Sequence, residues 1–125
     1  MVDSATPRTG DAVAVAFSGG LDSTALLHAT TRAATGQAVI ALHVHHGLLP
    51  QSDGWAAHCE RTAGEFGAAF ACVRLSGAPA RGDSVEAWAR VGRHRALHDM
   101  AVAAGADLLL LAHHRRDQAE TFVLQ

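Results

Sequence analysis

Lysine is absent from this chain: all ten basic residues of the 125 are arginine, against 12 acidic residues, for a formal net charge of −2. A Walker-type phosphate loop sets a lysine on the β- and γ-phosphates, so the chain is not an NTPase of that kind. The charge balance gives no electrostatic footprint for a nucleic-acid partner, and any RNA contact has to be argued from other features. Cysteine is scarce as well. Cys59 and Cys72 stand 13 positions apart, without the Cys-x-x-Cys spacing of a zinc or iron–sulfur ligand set, and both read as small buried hydrophobes. Apolar runs such as Leu108 to Ala112 fall far short of the roughly 20 residues that span a bilayer, and no basic-then-apolar signal pattern opens the sequence. The expectation is a soluble, cytoplasmic protein with no membrane partner.

What the sequence does have is alternation of strand and helix patterns. After a polar leader at residues 1–10, Ala12-Val13-Ala14-Val15-Ala16-Phe17 is apolar on both faces and reads as a buried parallel strand. Ser18-Gly19-Gly20 ends it, Asp22 or Ser23 can cap the helix that follows, and Gly36 stops that helix. Val39 to Val44 predicts a second strand, then a loop through Gly47 and Pro50, then a helix from about Ser52 to Phe66. Ala68 to Leu75 predicts a third strand and Gly77 to Gly82 a loop. Asp83 and Glu86 are spaced as a capping box for a helix to about Ala104, and Ala106 to Ala112 predicts a fourth strand. Such alternation implies right-handed crossovers and an α/β fold, a doubly wound open parallel sheet. The last stretch, Arg116 to Gln125, reads as the start of a helix with no returning fifth strand. Residues 11–125 therefore read as one domain cut short, with Phe122, Val123 and Leu124 exposed beside an unpaired sheet edge.

Chemistry concentrates at strand ends. Ser18-Gly19-Gly20-Leu21-Asp22-Ser23 joins the first strand to the first helix, where unpaired backbone N–H groups and the helix dipole attract phosphate. The glycines allow close approach, the Ser18 and Ser23 hydroxyls can donate to phosphate oxygens, and Asp22 fits such a site through a magnesium ion. If the fourth strand lies beside the first, the stretch from His113 to Glu120 joins this edge. Asp117 and Glu120, three apart on a starting helix, then share a face toward that magnesium or an amine substrate. His45-His46 and His113-His114 also sit at strand ends, but neighbours in an extended chain point to opposite faces, so a zinc site is the weaker reading. His28, His58 and His98 fall within helices and read as solvent-facing or packed.

Ser18 to Ser23, SGGLDS, resembles the pyrophosphate-loop signature of the N-type ATP pyrophosphatases, which share an adenine nucleotide alpha hydrolase-like fold and cleave ATP to AMP and pyrophosphate. Three further stretches, in order, resemble those of the tRNA(Ile)-lysidine synthases within that group: His43 to Leu48 (HVHHGL), Ser84 to His94 (SVEAWARVGRH) and Leu111 to Thr121 (LAHHRRDQAET). Three positions depart from that pattern: His45 stands for asparagine, His94 for tyrosine, and Arg116 for the first of two acidic residues. Arg116 reverses a charge beside the expected metal position. The resemblance implies ATP and Mg2+ as cofactors, Asp22 and Asp117 as metal-site residues, Glu120 as holder of a lysine ammonium, and His113 on phosphate or adenylate. It also implies tRNA(Ile) with a CAU anticodon and L-lysine as substrates, a homodimer, and a structural or RNA-side role for Arg90 and Arg93. The alternatives are another modifier of the same loop class, such as a tRNA-thiolating enzyme, or a nucleotide-binding module without catalysis.

Overall fold

In the computed structural model, residues 12–34, 36–45, 52–75, 82, 84–112 and 119–124 are described. They form β1 (Ala12–Ala16), α1 (Leu21–Ala33), β2 (Ala38–His45), α2 (Ser52–Glu65), β3 (Ala69–Arg74), α3 (Val85–Ala103), β4 (Leu108–Ala112) and β5 (Ala119–Val123). The strands make one sheet in the order β3-β2-β1-β4-β5. The first four run parallel, with Val13 opposite Val39 on one side and opposite Leu108 on the other. β1 is thus the central strand, which is why its residues are apolar on both faces: Ala12 to Val15 are all buried.

The apolar faces sort the helices into two layers. Leu27 of α1 and Cys59 and Ala63 of α2 pack with Val15, Phe17, Val39 and Ala41 on one face of the sheet. Leu97 and Ala101 of α3 pack with Ala12, Ala14, Leu42, Val44 and Leu109 on the other. The chain therefore winds outward from β1 to β2 and β3, then α3 carries it back across the opposite face to β4. The order of winding reverses between β1 and β4, and the carboxyl ends of both strands meet at that point.

The four parallel strands and three helices match the sequence pattern; four details do not. The chain after residue 118 is not helical: Ala119–Val123 pairs antiparallel with β4, with Ala112 opposite Ala119 and Leu108 opposite Val123. A helix of so few residues gains little from its own hydrogen bonds. Thr121, Phe122 and Val123 are strand formers, and pairing satisfies the backbone edge of β4. Leu124, expected to be exposed, is buried among Ala106, Leu109 and their neighbours, and its N–H donates to the Asp107 carbonyl at 2.9 Å. Glu120 lies on β5 rather than on a helix, and Asp117, expected to share its face, lies outside the described residues. Cys72 is exposed rather than buried, because β3 is an edge strand. Both caps move by a residue or more: Gly20 is the N-cap of α1, with no side-chain bond, and Ser84 is the N-cap of α3, its Oγ accepting the Ala87 N–H.

Candidate anion site at the β1–α1 turn

The turn leaves β1 at Phe17 and enters α1 at Leu21. Gly19 has φ +89°, a left-handed conformation open to glycine at little cost. Ser23, expected as a cap, instead braces the turn from inside the first helical turn. Its Oγ accepts the N–H groups of Ser18 and Gly19, each at 3.1 Å, and lies 3.0 Å from Ser18 Oγ. The Gly20 N–H donates to Ser18 Oγ at 3.3 Å. Two successive N–H groups thus converge on one oxygen in the manner of an anion nest. The N–H groups of Leu21, Asp22 and Ser23 open α1 and have no partner within the helix, since the first intrahelical bond runs from Thr24 to the Gly20 carbonyl. Leu21 and Gly20 are exposed and a Cβ on Gly20 would meet only Ser18 Oγ at 3.6 Å, so the mouth of the turn is open.

α2 closes the opposite side. Trp55 Nε1 donates to the Ser18 carbonyl at 2.6 Å and the Cys59 thiol donates to the same oxygen at 3.7 Å. A Cβ on Gly19 would lie 2.6 Å from Cys59 Sγ and 2.9 Å from Trp55 Cζ2, so this glycine is required by contact as well as by conformation. Burial pushes the Cys59 thiol up to about 11, which keeps it protonated at neutral pH. The start of α2 is itself tied to the sheet. His45 Nε2 donates to Asp53 Oδ1 at 2.6 Å, and Arg74 Nη2 donates to the same oxygen at 3.0 Å. These partners, His45 first, hold the Asp53 carboxyl below its ordinary value. His43 is buried and its Nδ1–H donates to the Phe17 carbonyl at 2.9 Å.

The structure brings together Ser18, Gly19, Gly20, Leu21, Asp22 and Ser23 in one turn, with Asp22 half-buried in the first turn of α1. That set fits a phosphate chain, and Asp22 offers one carboxylate to a magnesium ion; among the described residues no group of three or more His, Cys, Asp or Glu could hold a metal. Glu120 is placed on β5 opposite Leu111, one pair in from the carboxyl end of β4 and hence toward the same edge of the sheet. His113, Asp117 and the departure Arg116 lie outside the described residues, as do His46 and His114. His28 and His58 are exposed and pack on Phe66 and Trp55, with ring centroids 4.8 and 5.0 Å apart. The roles of Trp55, Cys59 and Asp53 escaped the sequence reading, and no local signal marks them: each acts through a contact made across the fold.

A strand, a glycine turn braced by serine and an open helix start, set where the winding of a parallel sheet reverses, define a doubly wound α/β nucleotide-binding domain. Comparison narrows this class. The PP-loop domain family matches residues 2–125, and the chain belongs to it. It is 52% identical over 113 residues to the tRNA(Ile)-lysidine synthase of Burkholderia mallei, covering 90% of this chain and 23% of that protein. The corresponding figures are 50% identity, 90% and 25% for Ralstonia nicotianae, and 43%, 93% and 26% for Methylococcus capsulatus. The chain thus spans about a quarter of the length of the curated relatives it matches. Its fold is similar to that of the U34-tRNA thiolase of Methanococcus maripaludis, solved with its 4Fe-4S cluster, with a TM-score of 0.68 at 19% identity over 84% of this chain and 39% of that one. Among the described residues no helix is long and apolar enough to cross a membrane.

Proposed function

We propose that this chain is the ATP-binding part of an enzyme that adenylates the wobble cytidine of tRNA(Ile) with a CAU anticodon and joins L-lysine to it, releasing pyrophosphate and AMP. The observation that carries the reading is the Ser18–Ser23 turn, with converging N–H groups, two hydroxyls and an open mouth at the β1–β4 switch point. Identities of 43 to 52% across nine-tenths of the chain to tRNA(Ile)-lysidine synthases favour lysine transfer over other uses of the same loop.

In this reading the cytidine carbonyl oxygen attacks the α-phosphorus and negative charge builds on the departing pyrophosphate. The N–H groups of Leu21, Asp22 and Ser23, at the positive end of the α1 dipole, are fixed in advance to meet that charge. The Ser23 hydroxyl accepts two N–H bonds, which polarises it as a donor within the turn, toward Ser18 Oγ at 3.0 Å or the Gly20 carbonyl at 3.4 Å, and leaves the exposed Ser18 hydroxyl to meet a phosphate oxygen. Magnesium supplies neutralising charge when held by Asp22 and Asp117. Glu120 holds the ammonium of the incoming lysine near the carboxyl end of β4, and His113 contacts phosphate or the adenylate. ATP, free lysine and tRNA are cytoplasmic, which is where this reading puts the protein.

A thiolation reading asks for a reactive or cluster-binding sulfur. The cysteine beside the loop is unsuited to attack, because Cys59 is fully buried and its thiol is held protonated.

The test separates binding from turnover. Pyrophosphate release from Mg-ATP should require both CAU tRNA and L-lysine, and Asp22→Ala should abolish magnesium-dependent ATP binding. ATP binding without lysine-dependent release would leave a nucleotide-binding module, and an Asp22→Ala variant that binds Mg-ATP as before would remove the loop assignment.

A further inference from the structure

Two consecutive peptide groups at the end of β1 are held by side chains that belong to neither the turn nor α1. The Phe17 carbonyl accepts from His43 Nδ1 at 2.9 Å, and the Ser18 carbonyl accepts from Trp55 Nε1 at 2.6 Å. The described chain has no cis peptide bond. In a trans peptide the carbonyl and the following N–H point in opposite directions. Tying the two carbonyls to β2 and α2 therefore turns the Ser18 and Gly19 N–H groups the other way, and both converge on Ser23 Oγ at 3.1 Å.

The lock answers a weakness that glycine creates. Gly19 lacks a Cβ and sits at φ +89°, so rotating the Ser18–Gly19 peptide by half a turn meets little resistance from Gly19 itself. The rotated peptide would turn the Ser18 carbonyl toward Ser23 Oγ and withdraw the Gly19 N–H from it. The wall of α2 opposes that rotation from outside the turn. Trp55 and Cys59 are four residues apart on one helical face and meet the same carbonyl oxygen. The indole is stacked on His58 with ring centroids 5.0 Å apart, and the helix is anchored two residues earlier through Asp53 to His45 and Arg74.

We propose that Trp55 and His43 are positioning residues for the phosphate loop: they hold the Ser18 and Phe17 carbonyls turned away from Ser23 Oγ and so keep the Ser18 and Gly19 N–H groups donating to it, which sets the shape of the loop around the bound anion. This rests on the reading of Ser18 to Ser23 as an ATP phosphate site. Neither residue touches the reacting atoms; both act through the backbone.

Trp55 is the testable member, because it is 45% exposed and Trp55→Phe keeps an aromatic ring while removing the donor together with part of the indole. Hydrogen exchange resolved to single amides is measured on residues 1–125, with calorimetric titration of Mg-ATP in parallel. In Trp55→Phe the Gly19 amide should exchange about tenfold faster while the Val13 and Val15 amides of β1 keep their protection, and the Kd for Mg-ATP should rise about tenfold, the order expected for one lost hydrogen bond. Equal Kd and equal Gly19 exchange in the two proteins would overturn the proposal. A second readout needs no substitution. The Trp55 indole proton of the unaltered protein should stay slow to exchange when saturated with Mg-ATP, and an indole proton released on binding would also overturn it. Should the unaltered protein fail to bind Mg-ATP while Gly19 exchange still responds to Trp55→Phe, the backbone lock is real but the ATP site is not, and the positioning role falls with that site.

Discussion

Replacing Gly19 by alanine adds one methyl group at a place where both backbone and neighbours resist it. The backbone must hold φ at +89°, which costs an L-residue roughly 1–2 kcal/mol. The new Cβ lies 2.6 Å from Cys59 Sγ and 2.9 and 3.0 Å from two atoms of the Trp55 ring, and Cys59 is fully buried and unable to retreat freely. Forcing a methyl group into packed surroundings costs roughly a further 1–3 kcal/mol. The sum is about 2–5 kcal/mol, and at roughly 4 °C per kcal/mol for a domain of this size the melting temperature should fall by roughly 8–20 °C. A double-mutant cycle with Cys59→Ala isolates the thiol's share, since truncating the thiol relieves the 2.6 Å contact and leaves the dihedral cost and the Trp55 contacts in place. Coupling of about 1 kcal/mol or more, read by thermal and denaturant unfolding, is expected. A Gly19→Ala protein that melts within about 4 °C of the parent, with no coupling to Cys59→Ala, would refute the reasoning about close approach.

Other outcomes follow from the same contacts. Asp22→Ala should remove magnesium-dependent ATP binding with little change in melting temperature, as measured by titration calorimetry and thermal unfolding, because Asp22 makes no bond that braces the turn. The Asp53 carboxyl is held below its ordinary 3.8 by His45 and Arg74, so its contribution to stability is present above that value and is lost as pH falls through the lower folded value. Asp53→Asn should therefore flatten the acid side of a melting profile below about pH 4, by a small amount because Asp53 is 79% exposed. A thiol-reactive maleimide should label Cys72 first and Cys59 only on unfolding, since one is exposed and the other buried with its thiol pushed up to about 11; equal labelling rates would contradict the packing of α2 on the loop. Residues 1–125 should bind CAU tRNA weakly and with little dependence on salt, because the net charge is −2. Tight, salt-sensitive binding in a filter or gel-shift assay would contradict that.

The elements of the sheet were legible because their signal is local. β1 is apolar on both faces wherever it is placed, so Ala12 to Val15 announce a buried parallel strand before any partner is known. Ser18 to Ser23 is likewise a local object: a glycine turn between strand and helix directs N–H groups outward by its own geometry. The final segment was misread because a stretch of five residues carries no period long enough to choose, and what decided for β5 was the open backbone edge of β4 beside it. The caps shifted for a similar reason, since Ser23 can serve a helix start or a turn, and the turn took it.

The chain order by itself determined which residues could carry phosphate chemistry and that they would sit at strand ends. Only the tertiary structure decided what holds them there. His43, Trp55 and Cys59 reach the end of β1 from 26, 37 and 41 positions along the chain, and separations of that kind are fixed by how β2 and α2 pack on the sheet. No periodicity or propensity encodes them, because the contact is a property of two elements meeting, while each element's own sequence records only that it has a face to bury.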